Sequence, residues 1–340
     1  MAKFIVDLGV TPCVDHGVRI KPSEALRFLA GLAVAVLLLG FLVLRVTSCA
    51  PAPPLPPAPG SPSAPGAHVG RLELSPPPPA IPPAEASGGC RATGWDAAAA
   101  ANSASLRTLA WAPFRRPEIG WETYAPLIAR EIGTACGPET QAFAAAFAAW
   151  QVRQRLPADG MMSDAGFTRL KGVMEGRRPF VLLNAQGICP PGADEAGLEL
   201  SRPGEGYGGM HIPLRPATWV AYRAMVAAAK AEDPRIAADP NNLTLFSGYR
   251  SPDATAARCA AEGGCNSMAR ANCSAHRTGL AVDIYVGQAP GFRPDSSADP
   301  NRLHMTQQPT YRWLLANASR FGFVPYPFEP WHWEWTGEAP

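Results

Sequence analysis

Three short segments carry the residue types that could do chemistry together. The first is Ser247-Gly248-Tyr249-Arg250-Ser251, the second runs from Ser274 through His276 and Gly279 to Asp283, and the third is Glu329-Pro330-Trp331-His332. A catalytic zinc takes three protein ligands, typically imidazole nitrogen and carboxylate oxygen, and keeps a further position for water. His276, Asp283 and His332 can supply that set. Glu329, three residues before His332, can take a proton from a water activated beside it. Arg250 is a cation able to meet negative charge on a substrate. Taken singly, each has a plainer explanation. A lone histidine is more often a satisfied core or surface residue, Asp283 can cap a turn, and Arg250 can pair with a surface carboxylate.

The elements that must position these groups are short strands among helices. Residues 243–246, 280–286 and 330–335 read as strands, and residues 217–230 as an amphipathic helix. Period-two alternation puts Leu280, Val282, Ile284 and Val286 on one strand face and Asp283 on the other. In the last strand Trp331, Trp333 and Trp335 share a face, and His332 and Glu334 share the opposite one. Pro330 can break the alternation and turn Glu329 toward the same site. Helices mixed with short strands in this order predict an α+β domain with a small, mostly antiparallel sheet. Of the remaining histidines, His304 precedes a helix holding Tyr311, Trp313 and Leu314 and reads as structural, whereas His211 has a cleft position as its alternative.

Upstream, residues 88–200 are alanine-rich with helical periodicity; Phe143, Phe147 and Trp150 fall on one helical face. Gln151, Leu156, Asp159 and Gly160 follow, then a second helical run through Phe167 and Leu170. This resembles the core of three-helix peptidoglycan-binding domains. It departs from them at Ser163 to Thr168, and a structural helical subdomain is the other reading. Residues 47–87 form a proline-rich linker, biased toward extended polyproline II. Before it, residues 28–44 are uncharged and apolar, near the short end of what spans a bilayer. Lys3, Arg19, Lys21 and Arg27 precede that run, and no Lys or Arg stands between Arg45 and Arg71. The asymmetry predicts a cytoplasmic tail (1–25), a membrane segment (26–46) and everything later outside. Val46-Thr47-Ser48-Cys49 also resembles a lipoprotein cleavage box, so an uncleaved signal-anchor and a lipid on Cys49 both stand.

Beyond Cys49, at the far edge of the apolar run, the cysteines are Cys90, Cys136, Cys189, Cys259, Cys265 and Cys273. None pairs in Cys-x-x-Cys spacing. An even set in an exported chain predicts up to three disulfides, with one expected among Cys259, Cys265 and Cys273. A net charge of +2 argues against a nucleic-acid partner.

Taken together, the three chemical segments resemble the signature of the VanY-type zinc D-alanyl-D-alanine carboxypeptidases, within the wider LAS metallopeptidases. That signature is Ser-Gly-Tyr-Arg-Ser, then Ser-x-His-x-x-Gly-x-Ala-x-Asp, then Glu-x-Trp-His. All three occur in order within residues 203–340. The resemblance implies a LAS/Hedgehog-like α+β fold, a single zinc on His276, Asp283 and His332, Glu329 as general base and acid, and Arg250 as the cation on the substrate. It implies peptidoglycan stem peptides as substrate and the bacterial cell envelope as location, with the later domains periplasmic or extracellular. L,D-carboxypeptidases and endopeptidases of the group share the metal chemistry, and a non-catalytic, membrane-tethered wall-binding protein is the alternative of another class. The departures are Ala275 before the first histidine, Pro252 to Thr255 after Arg-Ser, the short stretch Val324 to Phe328 before Glu329, and an insertion carrying Cys259, Cys265 and Cys273. They touch the cleft rim and remove no ligand.

Overall fold

The computed structural model describes residues 89–261 and 273–340. The expected cytoplasmic tail, the apolar run, Cys49, the proline-rich linker and Cys265 lie outside the described residues. Among the described residues no helix is long and apolar enough to cross a membrane. All of them belong to one compact unit, Val69–Pro340.

The first part is helical: α1 (Asp96–Ser105), a small hairpin of β1 (Ala110–Trp111) and β2 (Glu118–Ile119), then α2 (Ala125–Ile132), α3 (Gln141–Arg153), α4 (Asp164–Glu175) and α5 (Pro179–Asn184). The reason α3 starts where it does is a cap: the Thr140 hydroxyl accepts from the Phe143 amide, satisfying one of the donors a helix N-terminus leaves open. Phe143, Phe147 and Trp150 are fully buried with Trp121, Phe167 and Leu170. The Gln151 side chain closes the following turn. Its amide donates to Asp159 at 2.8 Å and its oxygen accepts from the Gly160 amide at 2.8 Å.

A connecting stretch with β3 (Glu199–Leu200) and β4 (Pro213–Leu214) leads to α6 (Pro216–Glu232), α7 (Pro234–Ala237), β5 (Leu245–Ser247), α8 (Pro252–Ala261), β6 (Ala281–Ile284), α9 (Asp299–Gln307), α10 (Pro309–Asn317), β7 (Phe323–Pro325) and β8 (His332–Trp335). The strands β5, β6, β8 and β7 lie side by side in that order, every pair antiparallel. This agrees with the expected α+β class and small sheet. The strands are shorter than the alternation suggested, and β7 was not anticipated. Val282, Ile284, Val286 and Trp333 enter a core with Trp219, Tyr222 and Met225 of α6 and Leu314 of α10. The apolar faces expected for the second and third strands are therefore the ones that enter this core. Full burial of side chains of this size contributes about 1.5–3 kcal/mol each, which fixes the register against a slip of one residue.

The helical part and the sheet share a polar seam. Arg302 of α9 is wholly buried; it pairs with Glu118, donates to the Tyr124 hydroxyl and the Phe328 carbonyl, and lies over the Phe328 ring. Two disulfides, Cys90–Cys136 and Cys189–Cys273, brace the unit. Cys259 is disulfide-bonded too. Cys273 thus reaches back across 84 positions, outside its own insertion.

Candidate active site and metal centre

The turn before β6 is built to present His276. Ser274 caps it, accepting from the His276 amide at 3.3 Å, and Gly279 ends it with φ of +69°. The Thr278 hydroxyl donates to the Ala275 carbonyl and accepts from the Leu280 amide. The Gly248–Arg250 loop wraps the same histidine from outside. The Gly248 carbonyl lies 2.6 Å from His276 Nδ1, and the Arg250 amide donates to the His276 carbonyl at 3.1 Å. This grip requires glycine, because a Cβ at position 248 would sit 2.6 Å from Ile212 Cγ2 and 2.7 Å from the Pro213 carbonyl oxygen. A carbonyl only accepts, so Nδ1 carries the hydrogen and Nε2 keeps its lone pair.

That lone pair faces Asp283, whose Oδ2 is 3.3 Å away. Asp283 stands directly opposite His332 in the β6–β8 ladder, and its Oδ1 is 2.9 Å from His332 Nδ1. One carboxylate and two imidazole nitrogens therefore converge, their ligand atoms within 4.8 Å of one another and all three residues buried. Burial drives the His276 proton off and works against charge on Asp283, yet the two imidazoles hold Asp283 ionised well below the usual carboxylate range. Burial opposes charge on His332 as well; contacts with Asp283 and Glu334 overcome it and raise the ring to about 9. An ionised carboxylate facing a neutral nitrogen lone pair is repulsive unless a cation lies between. The donor set, two nitrogens and one oxygen, is that of a catalytic zinc.

Glu329 is fixed through its backbone. Its carbonyl accepts from the His332 amide at 2.9 Å, and Pro330 occupies the second position of that turn, where proline is favoured. The segment Glu329-Pro330-Trp331-His332 is thus one tight turn leading into β8. Arg250 donates to Ser247 Oγ at 3.2 Å, and its charge is felt by His276. His304 contacts Gln308 through Nε2 at 3.0 Å, as suits a structural role, and His211 is exposed.

Two residues were given no role in the sequence reading. Glu334 lies behind His332, its Oε1 3.5 Å from Nε2, a buried nitrogen that makes no hydrogen bond. Burial disfavours the Glu334 charge, but Arg178 and His332 reverse this and bring its carboxyl down to about 2. Glu334 could have been found from its shared strand face with His332. Arg178 could not, since it stands 156 positions earlier, just before α5.

Among solved structures the chain is similar to the LdcB LD-carboxypeptidase, whose structure is described as revealing peptidoglycan recognition, at 26% identity over 41% of this chain and 68% of that one, with a TM-score of 0.29. A comparison with curated proteins finds no match. Residues 211–338 match the family model VanY, D-alanyl-D-alanine carboxypeptidase. All three ligand candidates, Arg250 and Glu329 fall within the match, and in this part the chain is similar to the VanY family.

Proposed function

We propose that the chain is a zinc-dependent peptidase that removes the terminal D-alanine from peptidoglycan stem peptides. The observation that carries this reading is the buried His276–Asp283–His332 cluster in a domain of this family. Those three residues would hold the ion. The chemistry a bound zinc supplies is Lewis acidity, which makes water a nucleophile near neutral pH and polarises a carbonyl. Glu329 takes the proton of the attacking water and returns it to the leaving amine. Arg250 meets the oxyanion or the terminal carboxylate of the peptide. Gly248, through its carbonyl, keeps the His276 lone pair aimed at the site.

The proposed place of work is the bacterial cell envelope, with the apolar run at 28–44 tethering the chain and the tail inside. The disulfides of the described residues support an oxidising compartment. The test is zinc content of the purified chain together with release of D-alanine from a pentapeptide stem. One equivalent of zinc, lost on His276→Ala, and D-alanine release that a chelator abolishes are the expected results. A metal-free wild type that sediments with purified sacculi but releases nothing would sink the proposal and favour a wall-binding protein.

A further inference from the structure

The ring of His332 has a second neighbour besides Asp283, and that neighbour is held from the other part of the molecule. Glu334 Oε1 lies 3.5 Å from His332 Nε2. The same oxygen accepts from Arg178 Nε at 2.7 Å and lies 2.6 Å from Arg178 Nη2, while Oε2 accepts from the Phe180 amide at 3.1 Å. Both charged side chains are buried, at 7% and 3% exposure, and the Arg178 guanidinium lies 4.1 Å over the ring of Tyr326. Tyr326 in turn packs edge-on against His332, and its amide donates to the His332 carbonyl. The helical part therefore reaches the site through Arg178, next to α5, along a chain of contacts that ends on a ligand imidazole.

A carboxylate at the far nitrogen of a metal-binding histidine fixes the tautomer and the ring orientation and makes the ring a better donor. A buried carboxylate keeps such a position only when its own charge is matched and its lone pairs are filled. Arg178 does both for Glu334. From this we infer that Arg178 and Glu334 are positioning residues for the metal: Arg178 holds Glu334, and Glu334 holds His332 with its Nδ1 toward Asp283. The inference rests on the zinc reading and adds to it that the helical part completes the metal centre. Any wall-binding role of that part would come in addition to this one.

The test compares Arg178→Met, Glu334→Leu and the double variant in the full chain. Zinc dissociation constants are measured by competition with a chromogenic chelator, the cobalt(II) absorption spectrum is recorded, and unfolding is followed on metal-free samples. Each single change leaves a buried charge without its partner, so each lowers stability. The double change removes both charges and regains stability. Zinc affinity is expected to fall about 10–100-fold in all three, with an altered cobalt spectrum. A double variant whose affinity returns to the wild-type value with its stability would reveal a purely structural ion pair and overturn the inference. Should the single variants not fold, Glu334→Gln carries the test: it keeps size and an acceptor oxygen but no charge, so weaker zinc supports the inference and unchanged zinc overturns it. A wild type that binds no zinc would instead remove the metal reading itself, and this assignment with it.

Discussion

At the scale of single residues, the site is held by atoms that do no chemistry. The Gly248 carbonyl decides which nitrogen of His276 carries the hydrogen, and it can approach that closely only because position 248 has no side chain. Gly248→Ala should therefore push the loop off Pro213 and Ile212, loosen the carbonyl from Nδ1, and weaken zinc binding about 10–100-fold, as loss of such outer contacts does elsewhere. Zinc affinity measured beside the thermal midpoint checks this. An alanine variant with wild-type affinity would show that His276 needs no such support. The glycine was visible in the sequence as part of a motif, but its reason was not, because the collision involves Ile212 and Pro213, distant along the chain.

At the scale of elements, the sheet explains why some of the site was legible. Two-residue periodicity separates Val282 from Asp283 and Trp333 from His332, and the core takes Val282 and Trp333 while the site takes the other two. The pairing of Asp283 with His332 across β6 and β8 needed the register, which alternation alone does not give. Strand β7 was missed because it is three residues long and ends in proline; its existence depends on pairing with β8. The seam residue Arg302 was illegible for the same kind of reason, as its partners Glu118 and Tyr124 lie on another element. Arg302→Ala leaves Glu118 buried without its cation, so unfolding free energy should drop by about 3–5 kcal/mol, the usual cost of breaking a buried pair. Urea unfolding measures it, and a change under about 0.5 kcal/mol, typical of surface substitutions, would mean that Glu118 finds another partner.

At the scale of the whole molecule, sequence composition divides the described chain more sharply than its contacts do. Arg302, Arg178 and the ring of Phe114 against Phe328 all join the helical part to the sheet. A fragment covering residues 203–340 alone would expose that seam and strip Glu334 of Arg178. It should be less soluble and hold zinc more weakly than the full chain; a fragment with full zinc affinity and a sharp unfolding transition would contradict the shared-site picture. The Cys189–Cys273 bridge closes a loop of 84 positions, which in the chain-entropy model contributes about 4–5 kcal/mol, and it ties the connecting stretch to the turn that presents His276. In the proposed reaction this assembled site hydrolyses peptides with Glu329 as proton carrier. Its most direct test is D-alanine release from a pentapeptide stem by wild type and Glu329→Gln, with zinc determined in the same samples. At equal zinc occupancy turnover is expected to fall by about 10²–10⁴-fold, the usual worth of general acid–base assistance. Turnover equal to wild type at equal zinc would contradict it.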